Sequence, residues 1–201
     1  MKITLFISFS MIGHMIIAIS GLHGTGKSEV GKLVAEKLGL VYHSTGSLFR
    51  KMAEEKGLSL EELSKQAEKD KIIDYTIDYR IKQLAMKGNC VLDNQLSPYL
   101  LKDLIDYNIL LTCEKEVRIK RMMRRDSEDL ASKICETELR EHSEHKRFFE
   151  YYGIDIRDPE LIKKTYNLIV DTTKLSIREV TSLVLSAIHK HSGFTHKDPK
   201  N

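Results

Sequence analysis

Apolar residues fall in short runs separated by long charged stretches. Residues 15–20 (MIIAIS) form a β-branched run that suits a buried strand. Residues 27–38 then place Val30, Leu33, Val34 and Leu38 at helical spacing, and Gly39 follows as a stop signal. Residues 40–43 predict a second strand. Residues 46–87 are long, highly charged and helical in pattern, with Ser59 as an N-cap and Glu62 three residues on completing a capping box. Gly88 closes the last of these helices. Cys90–Asp93 reads as a short strand ending on a carboxylate, and Tyr107–Thr112 (YNILLT) as another buried strand. Residues 114–152 are a second charged, mostly helical stretch. Leu168–Asp171 (LIVD) is the last strand. Residues 176–189 predict an amphipathic helix with Ile177, Val180, Leu183, Val184, Ala187 and Ile188 on its inner face.

About five strands alternating with helices indicate an α/β fold built on a parallel sheet. The two charged helical stretches are longer than crossover connections require, so they read as insertions beside the core. With 201 residues the chain suits one domain, here residues 15–190, followed by a polar tail at 191–201.

Composition narrows the class. A hydrophobic fraction of 41% beside a charged fraction of 30% fits a well-cored soluble protein. The net charge of +3 is too small to argue for nucleic acid or a membrane, and no stacking or recognition motif for nucleic acid appears. Cys90, Cys113 and Cys135 are scattered and lack metal spacing, which reads as reduced thiols in a cytoplasmic protein.

Residues 1–19 are nearly all apolar and resemble a secretory leader. They run straight into Gly21 with no cleavage region, and removing them would delete the first strand. We therefore read residues 1–14 as an extension or upstream start ahead of Met15, with a membrane anchor as the other reading.

The sharpest motif spans Gly21, Leu22, His23, Gly24, Thr25, Gly26, Lys27 and Ser28, and it fits G-x-x-x-x-G-K-[ST] in full. Glycines let successive backbone N–H groups turn inward around phosphate oxygens, and the helix starting there points its positive end at the same anion. Lys27 is expected to reach the β- and γ-phosphates of ATP, and Ser28 to supply an oxygen to Mg²⁺. His23 reads as a variable loop position. A strand before the loop and a helix after it are the context the motif needs.

A second motif runs from Arg140 to Arg147 and has the form R-[DE]-x-x-[DE]-x-x-R. On a helix Arg140, Glu144 and Arg147 share one face. Guanidiniums suit phosphates because they stay charged and present a planar fork of donors. Arg118, Arg121, Arg124 and Arg125 add a cluster upstream. A solvated face of intrahelical ion pairs is the alternative reading, and the phosphate loop favours a phosphate clamp.

Together these segments resemble the nucleoside monophosphate kinases, and among them the archaeal-type cytidylate kinases. The likeness covers residues 15–185. It includes the loop, Ser44-Thr-Gly-Ser-Leu-Phe-Arg50, Ile73-Asp74-x-x-Ile77-Asp78-x-Arg80, Val91-Leu92-Asp93, the arginine helix, Tyr151-Tyr152-Gly153-Ile154-Asp155 and Asp171-Thr172. The resemblance implies a P-loop nucleoside-triphosphate-hydrolase-type parallel sheet with a monophosphate-binding insertion at 46–88 and a lid at about 126–152. It implies that Ser44 and Arg50 hold the acceptor, that Arg140, Glu144 and Arg147 contact the acceptor and the moving phosphoryl group, and that Asp93 orients Mg²⁺ through water. Where the family has an arginine after the third strand, this chain has Gln95, an uncharged donor in the acceptor site.

The expected activity is phosphorylation of CMP or dCMP by ATP, in a monomer or homodimer. The alternatives are another monophosphate such as UMP or AMP, and an ATP-binding regulator with a decayed acceptor site.

Overall fold

The computed structural model describes residues 14–127 and 129–191. The reading of residues 1–13 as an extension, and of most of the polar tail, lies outside the described residues. Five strands form one sheet: β1 (Ile16–Ser20), β2 (Val41–Ser44), β3 (Cys90–Asp93), β4 (Tyr107–Thr112) and β5 (Leu168–Asp171). Their order is β2-β3-β1-β4-β5, and every pairing is parallel. β1 therefore lies at the centre, and all five of its residues are buried. That is why it reads as an unbroken apolar run rather than an alternating one.

Helices cover both faces. On one, Val30 and Val34 of α1 (Lys27–Leu38) and Val180, Val184 and Ile188 of α9 (Ile177–His191) pack on Ile17, Ile19, Val91 and Ile109. On the other, Ile81 and Ala85 of α4 (Ile72–Ala85) pack on Ile16, Cys90 and Leu92. The first charged insertion folds as α2 (Thr45–Lys56), α3 (Leu60–Ala67) and α4. It has a small core of its own around Met52, Leu63, Ile73 and Ile77. Ser59 and Glu62 form the reciprocal capping box at the start of α3. A short α5 (Ser97–Leu100) precedes β4. The second insertion is α6 (Lys115–Asp126) and the long α7 (Leu130–Tyr152), followed by α8 (Pro159–Thr165).

Two sequence expectations need correction. β2 starts at Val41, not residue 40, because the Leu40 N–H bonds back to the Ala35 carbonyl and completes the end of α1. Leu183 does not face the core and is 50% exposed. The inner stripe of α9 is rotated toward Thr181, which is buried in its place. The second charged stretch is broken at its first third: Ser127 adopts a left-handed conformation and Asp129 caps α7 by accepting from the Ser132 N–H. At this corner the buried Lys133 ammonium donates to Asp126 and Glu136.

Sheet register places the chemistry. Asp93 stands opposite Ile19 on one side and opposite Ser44 on the other. Hence the strand ends that carry the glycine loop, Asp93 and Ser44 form one edge. Ligand sites of parallel α/β sheets sit at this carboxyl edge, where neighbouring strands connect in opposite directions.

Candidate active site

The loop after β1 is held from two sides. Thr25 Oγ1 donates to the Leu22 carbonyl at 2.8 Å, and Thr172 Oγ1 lies 3.0 Å from the Thr25 carbonyl. Arg118 of α6 donates to the His23 carbonyl at 2.7 Å and to Glu141 at 2.6 Å. Two glycines are required by space as well as by conformation. A Cβ on Gly21, at φ +149°, would meet the Leu111 carbonyl oxygen at 2.4 Å. One on Gly24, at φ +83°, would meet the Arg118 carbonyl oxygen at 2.7 Å.

Lys27 and Ser28 open α1 and turn toward β3. Ser28 Oγ donates to Asp93 Oδ2 at 2.6 Å, and the Tyr42 hydroxyl donates to the same oxygen at 2.6 Å. Asp93 is only 3% exposed. Burial, followed by the Asp93 charge, pushes the Tyr42 phenol well above its ordinary range, so it acts here as a fixed donor. Burial lowers the Lys27 ammonium from its ordinary value, while the nearby Asp93 and Glu144 charges act to restore it.

A hydroxyl and a carboxylate at this spacing form a hard oxygen pair. They fit Mg²⁺, which takes one or two protein oxygens and completes its shell with phosphates and water. Among the described residues no group of three or more His, Cys, Asp or Glu side chains could hold a metal ion.

Glu144 of α7 faces the loop directly. His23 Nε2 lies 2.8 Å from Glu144 Oε2, Gln95 Nε2 donates to that same oxygen at 3.2 Å, and Arg140 Nε donates to Oε1 at 3.1 Å. Burial acts to raise this carboxyl. The charges and hydrogen bonds of His23 and Arg140 outweigh it and hold Glu144 well below the usual carboxylate range.

One turn further along α7, Arg147 is 5% exposed and its NH1 lies 3.3 Å from Asp74 Oδ2 of α4. The geometry falls short of a hydrogen bond, so Arg147 Nε and NH1 and Asp74 Oδ2 all lack a hydrogen-bonding partner. Buried guanidinium donors left open suit an incoming phosphate. Burial pushes the Asp74 carboxyl up to about 6, against the opposing pull of Arg147.

The end of α7 ties the two insertions together. The Tyr151 hydroxyl donates to the Ala67 carbonyl at 2.9 Å, and the Tyr152 hydroxyl donates to Asp78. Gly153 then ends the helix, its N–H shared between the Phe148 and Phe149 carbonyls. Asp155 accepts from His145 and from the Arg157 N–H. The Tyr-Tyr-Gly-Ile-Asp segment thus docks the end of the arginine helix on α3 and α4.

The structure brings Lys27, Ser28, Asp93, Gln95, Arg140 and Glu144 together, and sets Arg147 one turn along α7 against Asp74 of α4. Ser44 lies at its edge, at the N-cap of α2, with no capping bond from its hydroxyl. Arg50 is exposed and donates to Ser47 Oγ at 3.3 Å, outside the Glu144 network. The upstream arginines divide. Arg118 braces the loop, Arg121 donates to the Thr172 carbonyl at 2.7 Å, and Arg125 bonds Asp126 on the surface. Tyr42, Asp74 and Asp78 were not assigned roles from sequence. Asp74 and Asp78 stand four residues apart in the sequence, which puts them on one helix face.

Among the described residues no helix is long and apolar enough to cross a membrane. Residues 16–174 match the model of the cytidylate kinase-like family. The chain is 42% identical over 176 residues to a cytidylate kinase of Staphylothermus marinus, covering 88% of this chain and 97% of that protein. It is 42% identical over 172 residues to a cytidylate kinase of Aeropyrum pernix, covering 86% and 98%. Its fold is similar to that of shikimate kinase from Acinetobacter baumannii solved with shikimate, with a TM-score of 0.60 at 18% identity, covering 88% of this chain and 94% of that one.

Proposed function

The chain belongs to the cytidylate kinase-like family, and from that premise we propose that it transfers the γ-phosphoryl group of ATP to CMP or dCMP. The observation that carries the reading is the pairing of two half-sites across one cleft. On one side stand the loop, Lys27 and the Ser28–Asp93 pair. On the other stand Glu144, fixed by His23, Gln95 and Arg140, and the open donors of Arg147. A regulator that had lost its acceptor site would have no need of the second half.

Transfer is in line. An oxygen of the acceptor phosphate forms a bond to the γ-phosphorus while the bond to the β–γ bridging oxygen breaks, so ADP leaves and the acceptor becomes a diphosphate. Lys27 holds the β- and γ-phosphates, and Arg147 and Arg140 draw the acceptor phosphate toward them. Ser28 and Asp93 would hold Mg²⁺, which would supply positive charge against that of the phosphates. The docking of α7 on the loop and on the α3–α4 insertion encloses the reacting groups and limits hydrolysis by water. Such a reaction suits a cytoplasmic protein.

The test is ADP formation by the purified protein with ATP and Mg²⁺, adding CMP, dCMP, UMP, AMP and GMP singly, with Lys27→Ala as the blank. Stimulation by CMP or dCMP well above the other acceptors is the expected result. Binding of ATP with no stimulation by any acceptor would overturn the proposal.

A further inference from the structure

Three side chains from three different elements grip one carboxylate beside the glycine loop. His23 Nε2 of the loop lies 2.8 Å from Glu144 Oε2, Gln95 Nε2 donates to that oxygen at 3.2 Å, and Arg140 Nε donates to Oε1 at 3.1 Å. An ionised carboxylate only accepts, so His23 turns its Nε2–H toward it. The Lys27 ammonium feels the same group. Burial lowers Lys27, and among the charges that act to restore it Glu144 stands second to Asp93. The Glu144 side chain is only 15% exposed.

The fold presses this residue onto the loop. Arg118 is 4% exposed and donates both to the His23 carbonyl, at 2.7 Å, and to Glu141, at 2.6 Å. Glu141 and Glu144 lie three apart and share a face of α7. That face therefore meets the loop twice, once through Arg118 and once through the His23 ring.

A phosphate chain in a G-x-x-x-x-G-K-[ST] loop brings its β- and γ-phosphates to the lysine. Ammonium, guanidinium and N–H donors are what the γ-phosphate would take there. Glu144 already holds Arg140 and His23 and lies in the field of Lys27. Two anions cannot share one such set of donors without strong repulsion.

We propose that Glu144 is an internal stand-in for the γ-phosphate: its carboxylate occupies the place of the transferring phosphoryl group in the empty protein, and ATP binds as that carboxylate gives way. ADP ends at the β-phosphate and does not meet it. Glu144 therefore sets how the loop discriminates between a nucleoside triphosphate and a diphosphate. Only the side chain has to move, so α7 keeps its dock on α3 and α4. The inference rests on the kinase reading above for the place of the γ-phosphate, and deepens it. A place filled by the carboxylate in about nine molecules of ten lowers the apparent ATP affinity about tenfold.

The test compares dissociation constants for β,γ-imido-ATP and for ADP, each with Mg²⁺ and without acceptor, in the wild type, Glu144→Gln and His23→Ala. Glutamine keeps the size of the side chain and can still accept from Arg140 and Gln95, but it brings no negative charge. Glu144→Gln is expected to bind the ATP analogue about tenfold more tightly than the wild type, with ADP within about twofold. His23→Ala removes the loop's own tie and leaves the charge, so it shifts the analogue in the same direction by a smaller factor. Equal changes for both nucleotides in Glu144→Gln, or none, would make the residue a structural brace and overturn the proposal. Weaker binding of the analogue would show that Glu144 helps to place ATP, and would overturn it too. Should Glu144→Gln fail to fold, His23→Ala decides: an unchanged ratio of the two affinities sinks the proposal. No acceptor takes part, so failure of the kinase reading shows separately. A protein that phosphorylates no monophosphate counts against that reading and leaves this comparison standing, whereas a wild type that binds neither nucleotide overturns both.

Discussion

His23 and Gln95 reach the same oxygen of Glu144, at 2.8 and 3.2 Å, from the phosphate loop on one side and the segment after β3 on the other. The carboxylate is thereby locked between the glycine loop and the segment after β3. Its folded-state pKa lies below the ordinary carboxylate value. A group depressed in this way contributes stability that is present above the unfolded pKa, about 4.3, and is lost as pH falls toward the folded value. Glu144→Gln is therefore expected to cost about 1.5–3 kcal/mol near pH 7, the range for charge-assisted hydrogen bonds, and progressively less below pH 4. Urea denaturation of both proteins from pH 3 to 8 checks this. A difference that does not change with pH would mean that the charge is not what stabilises the lock.

The strands and the glycine loop were legible because their signals are local. A five-residue apolar run before G-x-x-x-x-G-K-[ST] needs no knowledge of the rest of the chain, and the Ser59–Glu62 capping box spans only three residues. The division of labour among the arginines was not legible. Arg118 and Arg121 look alike in sequence, and so do Arg124 and Arg125. Arg118 braces the His23 carbonyl, 95 positions away, and Arg121 the Thr172 carbonyl, 51 positions away. His23 reads as a variable loop position until α7 is laid against it. Those pairings depend on how the insertions dock, which periodicity cannot report.

Asp93 takes both Ser28 and Tyr42 on one oxygen, so it positions the serine hydroxyl as well as offering a ligand. Asp93→Asn is expected to raise the Mg²⁺ concentration for half-maximal activity at least about tenfold, the usual cost of losing a carboxylate partner at a metal site. Tyr42→Phe removes one donor and leaves the carboxylate, so its Mg²⁺ dependence should shift less. Titration of activity with Mg²⁺ at fixed ATP separates the two. An identical shift in both variants would place the effect in strand packing rather than in the oxygen pair.

Gln95 carries no charge where the resemblance to the nucleoside monophosphate kinases implies an arginine. Its amide instead completes the Glu144 lock. Gln95→Arg puts a guanidinium within reach of both Glu144 and an acceptor phosphate. A gained charge-assisted contact of about 1.5–3 kcal/mol corresponds to a fall in the acceptor KM of roughly tenfold or more. Initial rates over a CMP series measure it, with the ATP KM as the internal control. An acceptor KM that rises would show that Gln95 serves this chain better as a neutral brace than an arginine would as a clamp.

Asp74 and Glu144 are half-buried carboxyls on neighbouring helices, yet burial and partners move them in opposite directions. Glu144 has full hydrogen bonds and falls, whereas burial pushes Asp74 up to about 6 against the pull of Arg147, with which it makes no hydrogen bond. For a carboxyl raised on folding, the native state holds its proton longer than the unfolded chain does. Stability tied to Asp74 is therefore present below its unfolded pKa and is lost as pH rises to about 6, after which the loss is constant. Relative to Asp74→Asn, the wild type is expected to lose up to about 3 kcal/mol between pH 4 and 6, from about 1.4 kcal/mol for each tenfold change in proton affinity. Denaturation of both proteins across that window measures the difference directly. A bound acceptor phosphate would give Arg147 a second anion and weaken its hold on Asp74, raising that carboxyl further. The fall should then extend to higher pH when CMP is present. A curve that CMP leaves in place would separate Arg147 from the acceptor phosphate and assign the pair to packing alone.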